Sequence, residues 1–176
     1  MPTTALTSLL TGYDYVTDRL LTRLDGLGEA EYLWEPVPGS WSVREVAGSW
    51  QAEFASPDPV PAPVTTIAWR LWHIADCLAG YVSPHLGPWP LTVLDVDHRW
   101  HPRVAPALDD LRTSIAVFRE RMVALGEEGG WQLLGPAWGP FAESTWIDLF
   151  VHAFDEVAHH GAEVALLRDL YLRHTA

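Results

Sequence analysis

The chain contains no lysine; its eleven basic residues are all arginine, set against 23 acidic ones for a net charge of −12. That balance excludes a basic footprint of the kind nucleic acids require. Cysteine is nearly absent. Cys77 stands alone, so no intrachain disulfide can form, and its isolation suits a reducing compartment. Long apolar runs are missing too: none approaches the roughly 18 residues of a membrane-spanning helix. The N-terminal stretch MPTTALTSLL lacks the positive region of a signal peptide. The expectation is a soluble cytoplasmic protein without a membrane partner.

What is present is a core-forming composition. Hydrophobic residues make up 48% of 176, enough for a single domain over residues 1–176. The ten tryptophans are large rings that must be packed, and tryptophan-rich surfaces would also support a homodimer. Apolar spacing predicts four long helices. The first covers residues 3–27, capped by Thr3 or Thr4, with Leu6, Leu9, Leu10, Tyr13, Val16, Leu20 and Leu24 on one stripe. The second runs from Thr65 or Thr66 to about Val82. The third runs from Ala105 to Leu125 and ends at glycines. The fourth runs from Trp146 to about Arg173, with Thr145 and Asp148 forming a capping box. Between them lie long connectors rich in tryptophan and proline. Residues 34–63 read as loop, with a turn or two of helix over Val43–Phe54 and with Trp34, Trp41 and Trp50 packing down. A short extended piece is expected at Leu91–Leu94. Without sustained strand alternation, the fold class expected is all-α: an up-down four-helix bundle, with a crossover connection as its variant.

The fourth helix carries the anomaly. Heptad spacing gives an inward seam of Leu149, His152, Glu156, His159/His160, Glu163, Leu166/Leu167 and Leu170. Its ends are apolar and its middle is ionisable for three turns. Burying those groups costs several kcal/mol unless they are paired or hold a metal. Glu156 and His160 are i, i+4 and can close on one ion. A third ligand has to come from another helix, and His73 sits beside Ile67, Leu71, Ile74 and Leu78 in the second helix. His73 reads equally as a hydrogen-bonded core histidine. Two imidazoles and one carboxylate match catalytic zinc and also non-haem iron, with positions left for water or substrate.

The remaining residues have plainer readings beside their functional ones. Glu156 and His159 form the Glu-x-x-His pair of di-metal bundles, but no second copy exists, and Glu120 and Asp76 stand in no matching pair. His152 reads as a residue of the bundle mouth, a partner of a ligand, or a base. Glu163 can fix a ligand's tautomer or pair with an arginine such as Arg168. Cys77, one turn from His73, is a thiolate ligand or a small buried apolar residue. His85, His98 and His101, with Asp95 and Asp97, could line an entrance, and His174 lies in the tail. No nucleophile elbow, phosphate loop, CxxC pair or HExxH motif is present.

The stretch Glu156-Val157-Ala158-His159-His160-Gly161-Ala162-Glu163-Val164, the WHIAD around His73 and the phrase WEPVPGSWSV from Trp34 to Val43 together resemble the DinB/YfiT-like superfamily. They are similar in particular to its mycothiol-dependent maleylpyruvate isomerase branch. Glu156 stands where most members carry the first histidine of His-x-x-x-His, a variant shared by that branch. The resemblance covers most of the chain. It implies a divalent ion, zinc or nickel, on His73, Glu156 and His160. It further implies a reaction with a low-molecular-weight thiol such as mycothiol, as transferase or isomerase. The family is also full of members with no known reaction, so activity transfers far less securely than fold, and a non-catalytic metal-binding or interaction protein of the same fold is the alternative. A plain bundle with a hydrogen-bonded polar seam is the third reading.

Overall fold

A computed structural model describes residues 4–57, 59–82 and 98–174. Among the described residues, the architecture is mostly helical with one two-stranded sheet. Helix α1 spans Ala5–Arg23 and the short α2 spans Glu29–Tyr32. Strands β1 (Val43–Val46) and β2 (Ser49–Ala52) follow, then α3 (Ile67–Val82), α4 (Val104–Gly130) and α5 (Trp146–His174). Pro136–Phe141 forms a 3-10 segment before α5. Among the described residues, no helix is long and apolar enough to cross a membrane. Leu91–Leu94, His85, Asp95 and Asp97 lie outside the described residues.

The helix starts follow from local chemistry. Thr4 accepts a hydrogen bond from the Thr7 N–H, and Thr66 accepts one from the Trp69 N–H. Thr145 and Asp148 form the capping box: the Thr145 N–H donates to Asp148 Oδ2 at 2.7 Å, and the Asp148 N–H donates to Thr145 Oγ1 at 3.2 Å. The third predicted helix is longer than expected. It breaks at Gly126, whose φ of 65° suits glycine, and then continues for another turn.

Residues 43–52 correct the sequence reading, which placed a turn or two of helix there. They form a two-stranded antiparallel hairpin with Val46 paired to Ser49. Ala47 and Gly48 both have positive φ, 52° and 81°, which is the two-residue turn that matches strand twist. The strands are too short for alternation to be legible. Further bonds tie the hairpin in: the Ala52 N–H donates to the His98 carbonyl and the Trp100 N–H to the Trp50 carbonyl.

Side-chain register gives the helix directions. Leu6 meets Glu127 and Asp14 meets Arg119, so α1 and α4 are antiparallel. Gly12 faces Phe154 and Arg23 reaches Asp169, so α1 and α5 are parallel. Arg70 meets Glu163 while Tyr81 meets His152, so α3 and α5 are antiparallel. Helices α3 and α4 share a direction, because Trp72 and Asp110 line one cavity and Tyr81 meets Phe118 edge-on. The order is therefore up, down, down, up. The long helices therefore do not alternate strictly in direction.

Tyr13, Phe118 and Phe150 meet at the centre, with ring centroids 5.5–5.7 Å apart. All three are buried. Trp34 and Trp41 do pack against the core, but Trp50 is exposed.

Candidate metal centre

The buried stripe of α5 is Phe150, Ala153, Val157, Val164 and Leu167. The expected seam was rotated by about one residue. Leu149 and Leu167 are buried as expected, whereas Leu166 and Leu170 are exposed. The ionisable residues therefore do not fill the centre of the core. They occupy the edge of α5 that faces α3, where half-burial lowers the desolvation cost that a central position would carry.

On that edge the three sequence-predicted candidates converge. Glu156 Oε2 lies 3.1 Å from His73 Nε2 and 3.1 Å from His160 Nε2. The two imidazoles stand nearly perpendicular with centroids 4.7 Å apart. Side-chain exposures are 28% for His73, 17% for Glu156 and 12% for His160, so the site is half-buried with an open rim. Donor atoms of these three residues all fall within 4.8 Å of one another.

On two counts the donor set suits a divalent ion. Metal–ligand bonds of about 2.0–2.1 Å place neighbouring donors about 2.9 Å apart at a right angle and about 3.4 Å apart at the tetrahedral angle. The observed 3.1 Å falls between. The second count is proton bookkeeping at His160. Its Nδ1 lies 2.6 Å from the Glu163 carboxylate, which only accepts, and 3.1 Å from Arg70 Nη1, which only donates; the shorter contact places the proton on Nδ1. A neutral imidazole then has no second proton, and its Nε2 lone pair faces the Glu156 carboxylate. That arrangement requires positive charge between them, as a proton on Nε2 or as a metal ion. The residues fit a divalent ion.

The charges at the site are coupled. Hydrogen bonds from His160 and then His73 hold the Glu156 carboxyl far below its ordinary value. Burial works against the His160 cation, yet the bonds to Glu156 and Glu163 outweigh it and raise its pKa. Burial likewise opposes ionisation of Glu163, but the His160 hydrogen bond and the Arg70 charge prevail and lower its pKa.

Neighbouring groups hold the ligands in place. The Trp69 ring stacks on His73, 5.1 Å between centroids and 12° from parallel. Trp69 Nε1–H in turn donates to the Glu53 carbonyl at 2.6 Å, which ties His73 to the segment after the hairpin. Arg70 Nε lies 3.0 Å from Glu163 Oε2. Sequence reasoning missed Arg70 and Trp69; the available signal was an arginine inside an apolar helical run, one turn before His73.

The other candidates separate. His152 is 55% and His159 61% exposed, with nitrogens 3.7 Å and 3.5 Å from Glu156 and Glu163 respectively. Glu163 does pair with an arginine, but with Arg70; Arg168 pairs with Glu31. Cys77 Sγ comes within 3.8 Å of His73 Nε2. Burial pushes its thiol up to about 12, and Cys77 does not join either group of converging donors among the described residues. Asp76 lines the separate cavity between α3 and α4, and Glu120 is exposed. His101 pairs with Asp110, His98 packs between Phe54 and Trp72, and His174 lies against Trp34.

Comparison with known proteins adds one match. No curated protein and no solved structure matches the chain. A family model of the DinB superfamily matches residues 50–164, about two thirds of the chain, and that span contains His73, Glu156 and His160. The chain belongs to the DinB superfamily.

Proposed function

We propose that His73, Glu156 and His160 hold one divalent ion, zinc or nickel in preference to iron, and that the protein uses it to activate a low-molecular-weight thiol such as mycothiol in a transferase or isomerase reaction. The observation that carries the reading is the shared carboxylate oxygen at 3.1 Å from two imidazole Nε2 atoms. A bound divalent cation lowers a thiol's pKa and favours the nucleophilic thiolate.

The chain's own residues supply the setting. Glu163 keeps the His160 proton on Nδ1 and so leaves Nε2 free to ligate. Glu156 stays ionised because its pKa is depressed. Trp69 fixes the His73 ring plane. The partial exposure of all three ligands leaves a route for a small-molecule substrate.

We read the four long helices as one bundle domain over residues 1–176, cytoplasmic, with a homodimer to be checked by sedimentation. The alternative is a metal-binding or interaction protein of this fold without turnover. Metal content of protein purified without a nickel column tests the site: one equivalent in the wild type and none in Glu156→Ala is expected. A wild type without stoichiometric ion sinks the proposal. Thiol consumption with mycothiol and a panel of electrophiles then separates enzyme from binder. Unchanged thiol across the panel favours the binder.

A further inference from the structure

Among the described residues, a second group of three donors lies beside the first: His159, His160 and Glu163. The groups share the His160 ring but use its opposite nitrogens. His160 Nδ1 is 2.6 Å from Glu163 Oε2, and His159 Nε2 is 3.5 Å from Glu163 Oε1. By donor type this is again two imidazoles and a carboxylate, able to hold a divalent ion.

Something already stands there. Arg70 places Nε 3.0 Å from Glu163 Oε2 and Nη1 3.1 Å from His160 Nδ1. Its side chain is largely buried, and its guanidinium lies over the Trp69 ring, 5.2 Å from the centroid. A guanidinium cannot shed its charge.

We propose that Arg70 occupies the second cation position with a fixed charge and thereby confines the divalent ion to the Nε2 side of His160. The proposal rests on the reading of His73, Glu156 and His160 as the ion site. An ion on the Nδ1 side would have to displace the Nδ1 proton from Glu163 and sit within a few ångströms of a permanent cation, where repulsion in a half-buried setting is strong. With the guanidinium present, Glu163 serves as hydrogen-bond acceptor; without it, Glu163 and His159 become free to ligate.

Zinc binding separates these roles, read by calorimetry and elemental analysis with folding checked by circular dichroism. Wild type is expected to bind one zinc and Glu156→Ala none. Glu156→Ala combined with Arg70→Met is expected to regain one zinc, at least tenfold tighter than Glu156→Ala alone, and to lose it again when His159→Ala is added. Arg70→Gln in the same background is the second neutral variant should the first fold poorly, and Arg70→Lys is expected to keep the position closed. Zinc held by Glu156→Ala and removed by His159→Ala would show that Arg70 does not exclude the ion. A folded double variant without zinc would also overturn the proposal. An empty wild type would overturn the proposed ion site, while the double variant would still report on Arg70.

Discussion

A single proton decides much of the candidate site. With the His160 proton on Nδ1 and donated to Glu163 2.6 Å away, Nε2 is the nitrogen that an ion beside Glu156 would meet. Replacing the carboxylate by an amide weakens both the tautomer control and the basicity of the ligand. Glu163→Gln is therefore expected to lower zinc affinity by about 10–100-fold while leaving stoichiometry at one, measured by competition with a chromogenic chelator. Unaltered affinity would reduce Glu163 to a partner of Arg70. His152→Ala, by contrast, is expected to change affinity by less than about threefold. Its imidazole is exposed and stands 3.7 Å from Glu156, where an exposed pair contributes little. The i, i+4 spacing made Glu156 and His160 readable from sequence. Arg70 was not, because an arginine in an apolar run acquires meaning only through what faces it across the bundle.

At the scale of elements, close approach and turn geometry matter most. Gly12 of α1 sits against Phe154 of α5, and an added Cβ would lie 3.0 Å from that ring; the corresponding distance from Gly161 to Leu20 is 3.6 Å, an ordinary contact. Gly161→Ala is expected to be neutral or to add up to about 1 kcal/mol through helix propensity. Gly12→Leu should cost about 1–3 kcal/mol by overpacking. Urea denaturation of both variants checks the pair, and equal midpoints would contradict the packing. In the hairpin, Ala47 holds a φ of 52° that alanine adopts at some cost. Ala47→Asn creates the favoured Asn-Gly turn and is expected to raise stability by about 0.5–1 kcal/mol, again read from the denaturation midpoint. The four long helices and two of their caps were legible because apolar stripes and Thr or Asp signals act locally. The hairpin was missed because its strands are four residues each and its turn is Ala-Gly.

For the whole molecule, pH and ion binding are linked. Glu156 has a folded pKa depressed below its ordinary 4.5, so its stabilisation is present above that value and is lost as pH falls through the folded pKa. His160 has a folded pKa raised above 6.5, so its contribution is full below 6.5 and is lost as pH rises through the folded value. In the ion-free protein the cluster therefore stabilises most between about pH 4.5 and 6.5. Zinc on the proposed ligands would reverse the alkaline side, because ligation requires the neutral imidazole. Apparent affinity should rise with pH across the His160 titration, with proton release visible as buffer-dependent calorimetric enthalpies. Zinc at 100 times its Kd should add about 2.7 kcal/mol of stability, and chelation should remove it as a lowered Tm. A Tm indifferent to both zinc and chelator would contradict ion binding by the folded state.

The sequence by itself determined the helical class, the four long helices, the superfamily and the three residues that converge, because periodicity, capping and i, i+4 spacing are local properties. Tertiary structure decided the rest. It set the up, down, down, up order through contacts between elements far apart in the chain. It moved the ionisable residues from the core seam to the α3-facing edge of α5, a rotation of about one residue that heptad spacing does not resolve. It also brought Arg70 against Glu163 and His160, since which charge faces which across two helices depends on their register and not on either helix alone.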